Sequence, residues 1–352
     1  MNTRKHKQYR NYGPLSALLP IACFFITILT TSCEVEFSPN ADWKEVPVVY
    51  CVLDQDDSIS WVRVERCYLS EGDIYSGGMI ADSINYPQGA LQVAILAYKN
   101  GNLIDSIPFT YTLMDRDEGN FVAEGQPVYQ AVTYRRLADD YRLRLDNYTY
   151  ELRIRRTSDG SMLARAATTL LSRQEGSLVL TPNDNTPFGF SATRNCKIEW
   201  RSLNNGRYYQ PVVRFYYLYK YLGGDTLFID LPCSPRVCVP PYANLYNTQY
   251  SREAFLKNLR DHFEGDTNTK IYPQLFDIYI NCCNEELYAY LSSVSSASGI
   301  DQSHAVYSNI EGGLGVFGAR RANLYRRVPG DPSDRPGVGL HALLKDSIPG
   351  FI

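Results

Sequence analysis

Hydrophobic and polar residues alternate along several short runs of the chain, with the two-residue period of a strand that has one buried face. Runs of this kind, or short apolar runs bounded by turn residues, occupy 46–53, 59–68, 91–98 and 148–155. A polar turn of about five residues separates the first two runs, which favours a hairpin. Closely spaced short strands are typical of β-sandwiches and barrels. We therefore expect residues 46–172 to form an immunoglobulin-like β-sandwich.

The pattern changes in the second part of the chain, 173–352. Strand candidates lie at 195–202, 207–222 and 225–231, with the sequence Gly-Gly-Asp at 223–225 as a hairpin turn. Two later segments have helical spacing of their apolar residues, near 251–263 and 284–293, and Ser251 is a candidate N-cap. The predicted fold class is mainly β: an N-terminal sandwich, then a second β-rich region with two or so short helices.

The first 32 residues differ from the rest of the chain. Four basic residues within the first ten precede an apolar run at 15–29, and small polar residues follow it. The run is shorter than the roughly 20 residues that a membrane-spanning helix needs, and Pro20 interrupts it. A basic start, a short apolar centre and a small-residue exit predict a secretory signal peptide over 1–32.

A cysteine follows this segment directly. The sequence Leu-Thr-Thr-Ser-Cys at 29–33 resembles a bacterial lipobox, in which the chain is cut before the cysteine and lipid is attached to its thiol. We expect lipidation at Cys33, with residues 33–45 as a polar tether, because several acyl chains give stable membrane anchoring. The alternative is an ordinary secreted protein with an unrelated cysteine at this position.

Charge argues against a nucleic-acid partner. The chain has 35 Lys and Arg against 38 Asp and Glu, and loss of the four basic residues in 1–32 leaves a net charge of −7. Binding to nucleic acid requires a basic surface. The length of the mature chain favours two domains over one.

The remaining cysteines predict structural roles. Cys233 and Cys238 enclose a short loop and are the candidate disulfide, which an oxidising compartment permits. The spacing of Cys and His does not match a zinc site. We therefore predict no metal and no cofactor.

A glycine motif near the C-terminus invites a nucleotide-binding interpretation. Gly313, Gly315 and Gly318 have the spacing G-x-G-x-x-G, but too little chain follows for a nucleotide-binding sheet. Glycines within a strand pattern mark bulges or close backbone approach. We expect 312–318 to form such a strand, docking the C-terminal segment against the second domain with Phe317 buried.

Other motifs with chemical potential are weak. Residues 54–65 place oxygen-bearing side chains at the spacing of a calcium loop, but Ile59 stands where that loop needs glycine, and strands replace its helices. Neither G-x-S-x-G nor H-E-x-x-H is present, and three histidines remain after residue 32. Catalytic triads and metal hydrolases are hard to assemble from these residues. We predict that the protein is not an enzyme.

Tyrosine is unusually frequent, with 28 residues, and six of them lie in the strand candidate 207–222. Four of these six, Tyr216, Tyr217, Tyr219 and Tyr221, are the candidates for binding a partner. Alternation puts Tyr217, Tyr219 and Tyr221 on one face and Tyr216 on the other. One interpretation is an aromatic platform for a sugar, peptide or protein partner. The other is sheet packing by a residue with high strand propensity.

Several of these segments together resemble a known family. The lipobox, the early strands, the segment 150–154, the late helix at 284–290 and above all Asn309–Gly318 are similar to Bacteroidota outer-membrane lipoproteins classed as a domain of unknown function. The genes of that family commonly lie beside those of TonB-dependent receptors. The family supplies no catalytic residues to carry over.

The resemblance implies a lipid-anchored outer-membrane accessory or binding protein that partners a TonB-dependent transporter. Glu34 and Glu36 are similar to an acidic surface-export signal, and a periplasm-facing position stays open. The second candidate is a structural or adhesive surface lipoprotein of the fimbrial-subunit type, and an extracytoplasmic enzyme is third.

Overall fold

The structure is a computed structural model. It describes residues 45–67, 81–115, 125–134, 136–137, 147–171, 179–182, 188–190, 195–219, 226–238, 245–264, 271–297, 307–329 and 340–348. The predicted signal peptide, Cys33 and nearly all of the tether fall outside these residues. Glu45–Ile352 forms one compact unit. No helix within the described part of the chain is both long and apolar enough to span a membrane.

The chain is mainly β with a few short helices, as the alternating pattern predicts. The strands are β1 (Pro47–Asp54), β2 (Ile59–Arg66), β3 (Leu91–Lys99), β4 (Asn102–Pro108), β5 (Thr110–Met114), β6 (Gln126–Val132), β7 (Tyr148–Arg156), β8 (Met162–Thr168), β9 (Val179–Thr181), β10 (Cys196–Arg201), β11 (Tyr208–Tyr219), β12 (Thr226–Pro232), β13 (Arg236–Val237), β14 (Leu245–Tyr250), β15 (Ile271–Cys283) and β16 (Leu314–Pro329). The helices are α1 (Ala81–Ile84), α2 (Arg252–His262), α3 (Glu285–Ala297) and α4 (Leu340–Ser347).

One large sheet runs through the whole described fold. Its order is β12-β11-β15-β16-β1-β2-β6-β5, and β13 pairs with β11 as a ninth strand. β16 lies between β15 and β1, antiparallel to the first and parallel to the second. β16, the last strand among the described residues, therefore joins β1, the first, to β15, which precedes it in the sequence.

Two smaller sheets pack against the large one to form two cores. The sheet β4-β3-β7-β8 covers the β1–β2–β6 half, and its inward residues Ile95, Leu152 and Ile154 are essentially unexposed. The sheet β14-β10-β9, together with α2 and α4, encloses the second core, where Trp200 and Phe215 are fully buried. Both cores thus use the same face of the large sheet.

The predicted domain boundary at residues 172 and 173 lies between these two cores. The first core is built from residues 49–170 together with Ile310, Phe317 and Ala319 from the far end of the chain. The second is built from residues 171–348. The two cores are therefore distinct, but one sheet is continuous across the boundary.

Both predicted helices are present. α2 begins after Ser251, whose hydroxyl accepts a hydrogen bond from the N–H of Ala254 at 3.0 Å, as expected for an N-cap. α3 begins after Asn284, whose Oδ1 accepts from the N–H of Leu287 at 3.3 Å. α3 lies on the opposite face of the large sheet from the cores, with Leu287 packed against Val316 of β16.

The glycine motif opens β16 and has a packing function. Gly315 has φ of +108°, and a Cβ there would overlap the carbonyl oxygen of Val49 in β1. A Cβ on Gly318 would come within 2.9 Å of the Cβ of Leu287 in α3. The prediction of a closely approached strand with Phe317 buried is confirmed, since Phe317 is fully buried. The motif contacts the second region through Val316 and Gly318, which lie against α3, and it also packs on β1 and completes the first core, which was not predicted.

Two asparagines complete the hydrogen bonding of β16 where β15 ends. Asn309 donates to the carbonyl of Phe317 at 2.8 Å and accepts from its N–H at 2.9 Å. Asn284 accepts from the N–H of Ala319 at 3.0 Å through Oδ1 and donates to the hydroxyl of Thr168 in β8 at 2.8 Å. These side-chain amides replace a neighbouring strand, because buried backbone groups require hydrogen-bond partners.

Candidate functional site

The outward face of β11, away from the second core, carries a cluster of aromatic and charged side chains. Strand alternation directs Val213, Phe215 and Tyr217 into the core, so the residues between them face outward. The cluster has members on three neighbouring strands. It consists of Arg214 and Tyr216 on β11, Phe228 and Asp230 on β12, and Asp277 and Tyr279 on β15. We call these six residues the Arg214 cluster.

Arg214 is the centre of the cluster. Its Nε and Nη2 donate to the two carboxylate oxygens of Asp230 at 2.6 and 2.7 Å, and its Nη1 donates to the hydroxyl of Tyr279 at 3.0 Å. The guanidinium lies 4.1 Å from the ring centroid of Phe228 and 4.7 Å from that of Tyr279. The hydrogen bonds to Asp230 raise the pKa of Arg214. A bidentate ion pair and two cation–π contacts hold this side chain in one geometry.

Tyr216 and Asp277 form the other half of the cluster. The Tyr216 hydroxyl donates to Oδ2 of Asp277 at 2.9 Å, and its ring meets Phe228 edge-on, with centroids 6.1 Å apart. Burial, and then the hydrogen bond to Asp277, raises the pKa of Tyr216. Asp277 itself is buried, with 7% of its surface exposed. Tyr216 therefore covers a carboxylate that would otherwise face solvent.

The outer surface of the cluster is accessible. Phe228 is 51% exposed, and the Asp230 side chain is 43% exposed. Exposed aromatic rings beside an arginine and carboxylates on a flat sheet offer apolar contact area together with polar groups that orient a partner. The cluster can therefore bind another molecule by stacking and hydrogen bonding.

The four tyrosines predicted as candidates for partner binding do not share one environment in the structure. Tyr216 belongs to the outward cluster. Tyr217 is 5% exposed, hydrogen-bonds to Nε2 of His262 at 2.9 Å and packs on Phe263, so it is a core residue and cannot contact a partner. Tyr219 is in β11 but its side chain is outside the described set, as is the whole of Tyr221. Sheet packing thus describes Tyr217, while a role of Tyr216 in binding a partner stays a prediction.

Sequence reasoning missed the other members of the cluster. A signal for three of them was present, because alternation puts Arg214 on the same face as Tyr216, and a hairpin turn at 223–225 pairs the two strands that flank it. In the structure β11 and β12 pair with Arg214 opposite Asp230 and Tyr216 opposite Phe228. Asp277 and Tyr279 come from β15, about 60 residues further along, and no local pattern indicates that pairing.

The predicted disulfide is absent from the structure, where Cys233 and Cys238 are both free thiols. The short strand β13 lies between them and pairs with β11, which uses the intervening loop as part of the large sheet. Burial raises the pKa of Cys233 to about 12, which keeps its thiol protonated.

The acidic turn after β1 is paired with arginines of β16. Asp54 accepts from Nε of Arg320 at 3.3 Å, and Asp56 accepts from Nη2 of Arg321 at 3.1 Å. The Arg321 side chain is fully buried and also donates to the carbonyl of Leu171 at 3.2 Å. This turn thus links β1 to β16 and, through Arg321, to Leu171. In the described ranges, no group of three or more His, Cys, Asp or Glu residues is placed to hold a metal ion.

A shallow cavity of about 420 Å³ lies near the start of β1, lined by Glu45, Tyr86, Leu91 and Arg156 among others. Arg156 donates to Glu45 across it at 2.5 Å, so its main charged groups satisfy each other. The Arg214 cluster, with a half-exposed ring, is the better candidate for binding.

Comparison with known proteins adds no family to this description. No protein-family model matches the chain, and a search of curated proteins finds no match.

Proposed function

We propose that this protein is a lipid-anchored accessory or binding protein of the outer membrane, which contacts a TonB-dependent transporter through the Arg214 cluster. The observation that supports this most directly is the fixed position of Arg214 between the rings of Phe228 and Tyr279 on an exposed sheet face. The cluster lies on regular strands, not on loops.

The energetics of association favour such a surface. Aromatic and arginine side chains supply much of the binding energy at protein interfaces. Side chains already ordered before binding lose less conformational entropy when the partner arrives. Asp230 and the two rings order Arg214 in the free protein, so binding needs little further ordering there.

The sequence of the N-terminus supports the anchored location. Cys33 stands at the exit of a signal-peptide pattern, and eleven residues separate it from Glu45, where the described fold begins. A short polar tether of that length keeps the folded part close to a membrane. The cell surface and the periplasmic face are both compatible with this arrangement.

The alternative, a fimbrial-type subunit, requires a strand donated by another molecule. In this chain β16 lies beside β1 and fills the first core with its own Phe317 and Ala319. That core is closed by the chain itself, which favours an accessory or binding role over a strand-exchange role.

The partner can be tested by co-purification. We expect tagged wild-type protein in mild detergent to bring down a TonB-dependent receptor, and Phe228→Ala to reduce the recovered receptor at least tenfold. Val132→Ala is the matched control, because Val132 is an exposed apolar residue on β6 outside the cluster. No recovered receptor with the wild type, or equal recovery with both variants, would refute the proposal.

The anchor can be tested separately. Without the thiol of Cys33 no lipid can be attached, so a Cys33→Ala variant should move from the membrane fraction to the soluble fraction. Cys67→Ala is the control, since Cys67 lies in the folded part of the chain. Membrane association of Cys33→Ala equal to that of the wild type would contradict lipidation at this residue.

A further inference from the structure

β12 is the last strand at one end of the large sheet, and one of its edges has no neighbouring strand among the described residues. The N–H of Cys233 donates to the carbonyl of Pro211 at 2.9 Å, continuing the register of β12 with β11. Hydrogen-bonded residues alternate along an antiparallel pair. The N–H and C=O groups of Thr226, Phe228 and Asp230 therefore point outward, away from β11.

Three other edges of this fold, those of β8, β4 and β14, are occupied by specific contacts. On β8, Arg165 exchanges two backbone hydrogen bonds with Glu311, at 3.1 and 2.8 Å. On β4, Arg136 donates to the carbonyl of Ser106 at 3.0 Å, and on β14, Arg236 donates to the carbonyl of Asn247 at 2.8 Å. Proteins commonly protect sheet edges in such ways, because an open edge can accept another strand. The edge of β12 has no comparable contact from the described residues.

The sequence of β12 is complementary to itself. The N–H and C=O groups that point away from β11 belong to Thr226, Phe228 and Asp230. Pro232 has no N–H and cannot donate a further hydrogen bond. Two copies in antiparallel register about Phe228 would place Thr226 opposite Asp230 of the other copy and Leu227 opposite Ile229. Phe228 would face its own copy.

This register also suits the charges and the burial of the strand. Asp230 is the charged residue of β12, and in this register its cross-strand neighbour is a threonine. A register that centres on Asp230 would oppose two like charges, which destabilises a pair of strands. Leu227 is 40% exposed, and Ile229 is partly buried against the second core. Their pairing would extend that core across the junction.

We propose that a second copy of this chain pairs with β12 in antiparallel fashion, about a two-fold axis at Phe228. The large sheets of the two copies become one continuous sheet. Thr226, Phe228 and Asp230 of one copy exchange six backbone hydrogen bonds in total with the same residues of the other copy. Such an interface is isologous, since each copy contributes the same surface. The axis stands perpendicular to the sheet, so the two Arg214 clusters lie side by side on one face.

Cysteine cross-linking tests the register. Phe228→Cys should give a covalent dimer under mild oxidation, because directly paired Cα atoms lie about 5.5 Å apart, within disulfide range. Thr226→Cys alone should not, since its copies would be separated by four residues along the strand. Leu113→Cys, exposed on the edge strand β5, is the control for random collision. Equal cross-linking at all three positions, or at none, would overturn the proposal.

Sedimentation velocity of the full chain in detergent tests the hydrogen bonds. Thr226→Pro removes an outward N–H, so it should weaken the dimer at least tenfold relative to Thr226→Ala, while both keep the monomer's thermal unfolding. A monomeric wild type, or equal dimerisation of the two variants, would overturn the proposal. Thr226 is outside the Arg214 cluster, so receptor recovery should persist in Thr226→Pro, which separates this result from the proposed function.

Discussion

Gly315 illustrates how a single position can be restricted by both its backbone and its surroundings. Its φ of +108° disfavours any side chain, and the carbonyl of Val49 occupies the place of a Cβ. Gly101 has a φ of +78° but no atom within 4 Å of an added Cβ. The two glycines thus share a backbone conformation that strains any other residue, and they differ in crowding.

Alanine at these two positions should have different effects. We expect Gly315→Ala to lower the free energy of unfolding by about 3 kcal/mol or more, because β1 and β16 must separate to admit the methyl group. Gly101→Ala should cost about 1–2 kcal/mol through backbone strain alone. Urea denaturation measures both, and equal losses would show that crowding at β1 is not the cause.

Asn309 offers a second test at the same scale. Its amide satisfies both backbone groups of Phe317, so Asn309→Ala should destabilise the fold by about 1–3 kcal/mol, through unsatisfied groups. Asn309→Asp should not restore the lost stability, since a carboxylate cannot donate a hydrogen bond to the Phe317 carbonyl. Urea titration of both variants measures this, and an Asp variant as stable as the wild type would contradict it.

Individual residues were predictable where the cause is local. Ser251 as a cap and Phe317 as a buried residue follow from nearby sequence. The roles of Asn309 and Asn284 do not, because their partners, Phe317, Ala319 and Thr168, become neighbours after β16 and β8 are in place.

At the scale of elements, the edge of β4 is held by one ion pair. Arg136 donates to both carboxylate oxygens of Asp105, at 2.9 and 2.7 Å, and this hydrogen bonding lowers the pKa of Asp105. A lowered pKa in the folded state means that folding favours the ionised carboxyl. The pair therefore stabilises the protein at pH values at which Asp105 is ionised in the unfolded chain.

The pH dependence of this pair follows from that sign. Asp105→Asn should cost at most about 1 kcal/mol at pH 7, since both side chains are about one-third exposed and solvent screens them. The difference in the free energy of unfolding between this variant and the wild type should have its full size above about pH 4. It should disappear as the pH falls through the lowered pKa that Asp105 has in the folded protein. Denaturant titrations between pH 2 and 7 measure it, and a difference that grows toward acid would reverse the assignment.

The pairing of strands that follow each other in the sequence could be predicted, whereas the pairing of strands far apart in the sequence could not. The hairpin of β11 and β12 follows from alternation on both sides of a glycine turn. The insertion of β16 beside β1 joins residues more than 250 positions apart, and strand periodicity contains no information about a strand's neighbours. Four of the six residues of the Arg214 cluster lie on the two strands of the hairpin, and β15 supplies the two that alternation cannot assign.

At the scale of the whole molecule, β16 couples the two cores. Its first residues complete the first core, and its later residues pair with β15 beside the second. The buried Arg321 between these regions joins Asp56 to Leu171. We therefore expect the described fold to unfold as one cooperative unit, not as two independent domains.

A substitution in one core should be detected in the other. Phe317→Ala should lower the free energy of unfolding of the first core by about 3–5 kcal/mol. The unfolding transition that Trp200 fluorescence reports in the second core should then move to a lower denaturant concentration, by an amount that corresponds to the same loss of free energy. Replacing the other two tryptophans with phenylalanine isolates that signal. An unchanged Trp200 transition would show that the cores unfold separately.

The position of β16 also affects the order in which the chain can fold. A ribosome makes residues 49–170 long before it makes Phe317 and Ala319, which close the same core. Until those residues emerge, the early strands lack a central neighbour and stay short of a stable fold, because distant contacts form late. A secretion channel accepts extended chains, so under the export proposed above a core that closes last would keep the chain threadable until Phe317 and Ala319 have been made.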